Sequence, residues 1–138
     1  MDIKKLFLGT IAGGIAFFLL GWVIFGMLLM DFMNAHPGVA GNIHRPEPDM
    51  LYLAIGNLVW GLLYTYIFIK AGVNSLAGGL INGGIIGCLM SIGFNCIMYG
   101  TSIVTSKTAM AADVAAITVM MAIGGAIIGM VLGMGKKA

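Results

Sequence analysis

The fold class this sequence predicts is all-α: a polytopic membrane protein with four transmembrane helices in one compact bundle. Three observations predict it. The 138 residues are 60% hydrophobic and only 9% charged, with a mean hydropathy of +1.05, whereas soluble domains carry roughly 25% charged residues. Apolar runs of about 20 residues, the length a helix needs to cross a ~30 Å hydrocarbon layer, recur four times. Glycines repeat at four-residue spacing inside two of those runs, a pattern that lets helices approach backbone to backbone in lipid. Four spans use most of the chain, so residues 1–138 are expected to form a single transmembrane domain.

Residues 6–30 contain no charge and form the first expected span. The preceding Lys4-Lys5 and this run resemble a secretion signal, but a cleavable apolar region is about 7–15 residues long, so the segment is read as a retained helix. Thr10, Gly14 and Gly21 share one side of it, Gly9 and Gly13 add a second small pair, and Phe17, Phe18, Trp22 and Phe25 supply bulk elsewhere. An outer loop follows at residues 31–49, holding all three prolines, both histidines, Arg45 and three of the five acidic residues. The second span is residues 50–69, with Pro46 and Pro48 excluding helix upstream and Asp49 available as N-cap. Asn57, Gly61, Tyr64 and Phe68 lie along one side of it. A turn at residues 70–75 leads to the third span, 76–99, and an exposed connection at residues 100–108 leads to the fourth, 109–134.

The third span carries two expected features. Gly79, Gly83 and Gly87 form a slowly drifting groove, for which Gly125, Gly129 and Gly133 in the fourth span are a counterpart. These six are the candidate helix-packing residues. Beside the groove, Gly84, Cys88, Ser91, Asn95 and Ser102 fall near one line and gather the polar groups of the segment. Asn82 points away from that line. The strings around Gly13-Gly14, Gly83-Gly84 and Gly124-Gly125 look alike, although glycine-rich apolar helices resemble one another by composition alone.

Residues able to carry chemistry are few. Asp31, His36, His44, Glu47, Asp49 and Asp113 collect toward one side, but they show no HExxH and no ligand pair at helical spacing, so no metal site and no cofactor is expected. The twelve methionines read as adaptable packing. Cys88 and Cys96 are separated by eight residues of helix, about 12 Å, beyond disulfide reach. Asp113 has two readings: an acid in the first turns of the fourth helix, stabilised by the helix dipole and by Lys107, or an intramembrane acid that marks an ion path. Asn57, Ser91, Asn95 and Asp113 together make up the candidate polar path, while Asn57 and Asn95 also suit helix-to-helix hydrogen bonding.

Charge placement sets the expected orientation. Lys4, Lys5, Lys70, Lys136 and Lys137 fall on one side of a four-span protein and Arg45 and Lys107 on the other, which predicts both termini in the cytoplasm by the positive-inside rule. A net charge of +2, with lysines at helix ends rather than along a face, is too small to suggest a nucleic-acid partner, and none is expected. The lipid bilayer is the expected environment, and the glycine grooves suggest a homo-oligomer or a membrane-protein partner.

The first helix with its aromatic-containing outer segment, the strings Ala77-Gly78-Gly79-Leu80 and Gly83-Gly84-Ile85-Ile86-Gly87, and Asp113 opening a helix that finishes with Gly124-Gly125-Ala126-Ile127-Ile128-Gly129 resemble a family of small uncharacterised four-helix bacterial membrane proteins, known as a domain of unknown function. The resemblance spans nearly the whole chain and implies the architecture and a bacterial cytoplasmic membrane, without an activity. The chain lacks the first-helix glutamate of small multidrug transporters, the arginine and Phe-Ser-Thr stretch of fluoride channels, and the CxxC pairs of quinone-linked disulfide oxidoreductases. The expected role is therefore a non-enzymatic helix-packing protein, with a small ion or solute transporter using Asp113 and the Ser91/Asn95 stripe as the alternative.

Overall fold

A computed structural model describes residues 1–41 and 45–134. Helix α1 (Ile3–Gly21) starts three residues before the expected span because Asp2 caps it, its Oδ1 accepting from Lys4 N at 3.0 Å and Lys5 N at 3.3 Å. The helix then widens into a π-helical stretch, Trp22–Leu28, ending where Leu29 N donates to Ile24 O at 2.8 Å. Gly26 lies against the Trp22 indole in that stretch. A short helix α2 (Met30–Ala35) follows, so the expected outer loop begins as helix. Asp31 in its first turn complements the helix dipole.

Helix α3 (Met50–Ala71) is capped by Asp49, which accepts from Leu51 N and Tyr52 N, and it closes two residues beyond the expected end. Gly72, at φ 73°, supplies the left-handed C-cap that a side chain would disfavour. Helix α4 (Leu76–Thr101) is capped by Ser75, and helix α5 (Lys107–Gly133) by Ser106. The expected connection at 100–108 shrinks to 102–106. Gly100 does not stop α4, because a lone glycine costs a helix only ~1 kcal/mol and the Thr101 and Ser102 hydroxyls bond back to Ile97 O and Met98 O. Among the described residues, four helical spans are therefore long and apolar enough to cross a membrane.

Helix α5 is the centre of the bundle. It packs most extensively against α4 and also against α1, while α3 rests mainly on α1. Two adjacent glycines, about 100° apart on the helix, serve the two neighbours of α5: Gly124 lies under the Phe17 ring of α1, and Gly125 meets the backbone of α4 at Gly79 and Gly83. The same device recurs in α1, where Gly13 lies against Ile128 of α5 and Gly61 of α3, and Gly14 against Leu58 of α3. The core between these helices is Phe17, Tyr64, Phe68, Met120, Met121, Ile128 and Leu132. Phe17 and Phe68 meet the Tyr64 ring edge-on, with centroids 5.4 and 6.0 Å away.

The α4–α5 contact has a register that corrects the expectation in detail. Gly79 meets Gly125 and Gly129, Gly83 meets Met121 and Gly125, and Gly87 meets Met121 and the carbonyl of Ile117. Gly133 does not reach α4 at all; it lies against the carbonyl of Asn74 in the α3–α4 turn. Ser91 and Asn95 are buried on the same every-fourth-residue line as the three glycines, so groove and polar stripe form one face and not two. Gly84 and Cys88 flank it, half-buried. A contact line along an i±4 row is what close glycine-mediated crossings use. Because both glycine faces are filled within one chain, they are not open surfaces for a second copy, and the oligomer expectation loses the argument that carried it.

Both ends of the bundle are defined by contacts. The 72–75 turn meets Gly129 and Gly133 of α5 and shares a small cavity with Lys5, which gathers the start of α1, the end of α3 and the end of α5 at one end. The π-helical stretch, α2 and the 102–106 connection form the other, hereafter the loop end. His44, Lys136 and Lys137 lie outside the described residues.

Candidate functional site

The site is built from the last turns of α4, the first turns of α5 and a roof of loop. Asp113 is the seventh residue of α5, about 9 Å along the axis from its start at 1.5 Å per residue. Ser106 holds the N-cap position, and Asp113, at the end of the second turn, turns toward α4. Its Oδ2 accepts from Asn95 Nδ2 at 2.6 Å. The Lys107 ammonium is not its partner; it sits over the Tyr99 ring, 5.9 Å from its centroid. Asp113 makes no other hydrogen bond and no ion pair among the described residues.

Asn95 is held from behind. Its Nδ2 also donates to Ser91 O at 2.8 Å, and the residue is only 7% exposed. Both amide hydrogens are thereby committed, one to its own helix and one across to Asp113. Ser91, 6% exposed, spends its hydroxyl on Cys88 O. Asn57 is on α3, donating to Leu53 O at 2.7 Å, and α3 packs mainly against α1 rather than α4. The expected four-residue polar path thus reduces to the Asn95–Asp113 pair, with Ser91 as its support and Asn57 elsewhere. Asn82 bonds to Gly78 O on its own helix, away from the site.

Asn95 and Asp113 border a cavity of about 220 Å³ at the loop end. Phe94 and Met98 of α4 and Ala109 of α5 form its walls, and Met33, His36, Pro37, Gly41, Val104 and Thr105 form its roof. The roof is fastened across the chain. Ser106 Oγ donates to His36 O at 2.7 Å, and Ala40 N donates to Ile103 O at 2.9 Å. Gly38 lies so close to the backbone of residues 103–105 that it has no space for a side chain. His36 is fixed further by its Nδ1 contact with Phe32 O, 2.8 Å, and by ring stacking on Phe32 at 4.4 Å.

Sequence reasoning named Asn95 and Asp113 without pairing them. A usable signal was present. With a connection of only five residues, an antiparallel hairpin places residues equidistant from Val104 at the same level; Asn95 and Asp113 are each nine residues from it, as Gly83 and Gly125 are each twenty-one. The roof residues Met33, His36 and Thr105 carried no comparable signal, because a path through π-helix and loop has no period to read.

Fold and site together define a multi-pass membrane protein with an acid–amide pair beside a cavity at the loop end. No protein-family model, curated protein or solved structure matches the chain.

Proposed function

We propose that this is a non-enzymatic protein of the bacterial cytoplasmic membrane, with both termini in the cytoplasm, that binds a small cation in the vestibule at its outward end. One observation carries the reading: the Asp113 carboxylate borders a cavity with a single neutral partner, Asn95, and no cationic side chain beside it among the described residues. An acid inside a membrane helix is costly and marks an ion or proton site by default. Helices α4 and α5, of 26 and 27 residues, are about 39–40 Å long, some 10 Å more than the hydrocarbon thickness. Sharing that surplus between the two ends puts Asp113 near the outer hydrocarbon boundary, where a cation arriving from water can reach it. The orientation follows from Lys4, Lys5 and Lys70 at the opposite end. The packed core beneath the vestibule, from Phe17 to Leu132, favours binding over an open pore, and among the described residues the vestibule pairs no nucleophile with a base.

Thermal unfolding in detergent tests the reading. The parent and Asp113→Asn, both with Cys88→Ala and Cys96→Ala, are each scanned with sodium, potassium, magnesium, zinc, silver and methylammonium nitrates. A ligand at about 100 times its Kd stabilises the native state by about 2.7 kcal/mol, so at least one cation is expected to raise the parent's Tm and leave Asp113→Asn unmoved. A panel in which no cation separates the two proteins overturns the proposal.

A further inference from the structure

The vestibule offers more than a carboxylate, and its other donors are soft. Met33 and Met98, from α2 and α4, border the same cavity as His36 and Asp113. A packing methionine fills space, whereas these two are half-buried beside an open volume of about 220 Å³. His36 is prepared as a ligand. A carbonyl can only accept, so the 2.8 Å contact between His36 Nδ1 and Phe32 O selects the tautomer with the proton on Nδ1, in which the neutral ring has its lone pair on Nε2. Histidines that bind metals are oriented in this way by a carbonyl behind the ring. The segment that carries His36 is held in place by the Ser106 bond to His36 O and by the stacking on Phe32.

We infer that the cation taken by this vestibule is a soft monovalent metal ion of the Cu(I) class, coordinated by the Met33 and Met98 thioethers and His36 Nε2, with Asp113 as counter-charge. The inference rests on the vestibule reading above. Thioethers bind Cu(I) and its analogue Ag(I) and compete poorly for magnesium, calcium or sodium, so the donor set itself selects the metal. Three neutral donors bring no charge, and a bare monocation beside hydrocarbon needs one compensating anion. Asp113 supplies it from the same cavity wall, oriented by Asn95.

Silver(I) is the probe, because it has the same preference for thioethers and does not change oxidation state under these conditions. The full chain carries Cys88→Ala and Cys96→Ala to remove competing thiols, and silver nitrate is titrated in chloride-free detergent buffer by calorimetry. One silver ion per chain is expected, with Met33→Leu plus Met98→Leu weakening it at least 100-fold and His36→Gln at least 10-fold. Leu-for-Met exchanges conserve volume, and an unchanged metal-free Tm shows that the double variant is folded. Silver bound equally well by parent and double variant, or by neither, overturns the soft-metal assignment. If a hard cation still stabilises the protein in an Asp113-dependent way, the vestibule reading stands without it.

Discussion

Replacing Gly83 by alanine tests the backbone contact at the centre of the fold. A Cβ built there collides with Met121 O and lies 3.0 Å from Gly125 Cα. Both obstacles are backbone, so neither can rotate away; α4 and α5 must move apart along the Gly79, Gly83, Gly87 line. Overpacking of this kind costs about 1–3 kcal/mol, against a gain of up to ~1 kcal/mol from replacing glycine in a helix. The expected net effect is a destabilisation of about 1–2 kcal/mol. Gly93→Ala, in the same helix with nothing within 4 Å of its Cβ, is the control and is expected to be neutral or slightly stabilising. Reversible unfolding in mixed detergent micelles measures both. If Gly83→Ala is as stable as Gly93→Ala, α4 and α5 do not meet at this register and the packing argument is wrong.

Three further predictions follow from single contacts. The Tyr64 hydroxyl is buried in the core with no hydrogen-bond partner among the described residues; an unsatisfied buried hydroxyl costs about 1–3 kcal/mol, so Tyr64→Phe is expected to raise stability by about 1 kcal/mol, and a loss in the same unfolding assay would reveal a partner for the hydroxyl. A double-mutant cycle of Asn95→Ala and Asp113→Ala is expected to give a coupling of about 1–2 kcal/mol, the range of hydrogen bonds between membrane helices raised by the carboxylate, whereas Asn57→Ala cycled with Asp113→Ala should give none. Ser106→Ala removes both the cap on Ala109 N and the bond to His36 O; a destabilisation of about 1–2 kcal/mol is expected, with faster amide exchange at Ala109, and unchanged exchange there would contradict the cap.

The spans were legible because apolar length is a direct signal, and the α4–α5 face was legible because small residues recur with the helix period. Two things were not. The meeting of α1 and α3 at Gly13, Gly14 and Gly61 joins a glycine pair to a lone glycine, which offers no repeat to match. The burial of Ser91 and Asn95 on the glycine line depends on the tilt at which α4 crosses α5: an every-fourth-residue line stays in contact only when the helices cross along it. Sequence periodicity on a straight helix instead separates the two sets by the drift of 40° per step. Asp113 was visible as an unusual acid, but its partner required the hairpin register, and its roof required a path through π-helix and loop that no propensity specifies.

The central claim is that Asp113 faces an outward vestibule closed beneath. Cysteine accessibility in native membranes tests it most directly, with Asp113→Cys and Ile117→Cys each placed in the chain lacking Cys88 and Cys96. A membrane-impermeant thiosulfonate added from the outside is expected to label position 113 and to leave position 117, one turn deeper, unlabelled. Labelling of position 113 from the cytoplasmic side, or of neither position from either side, would contradict the account.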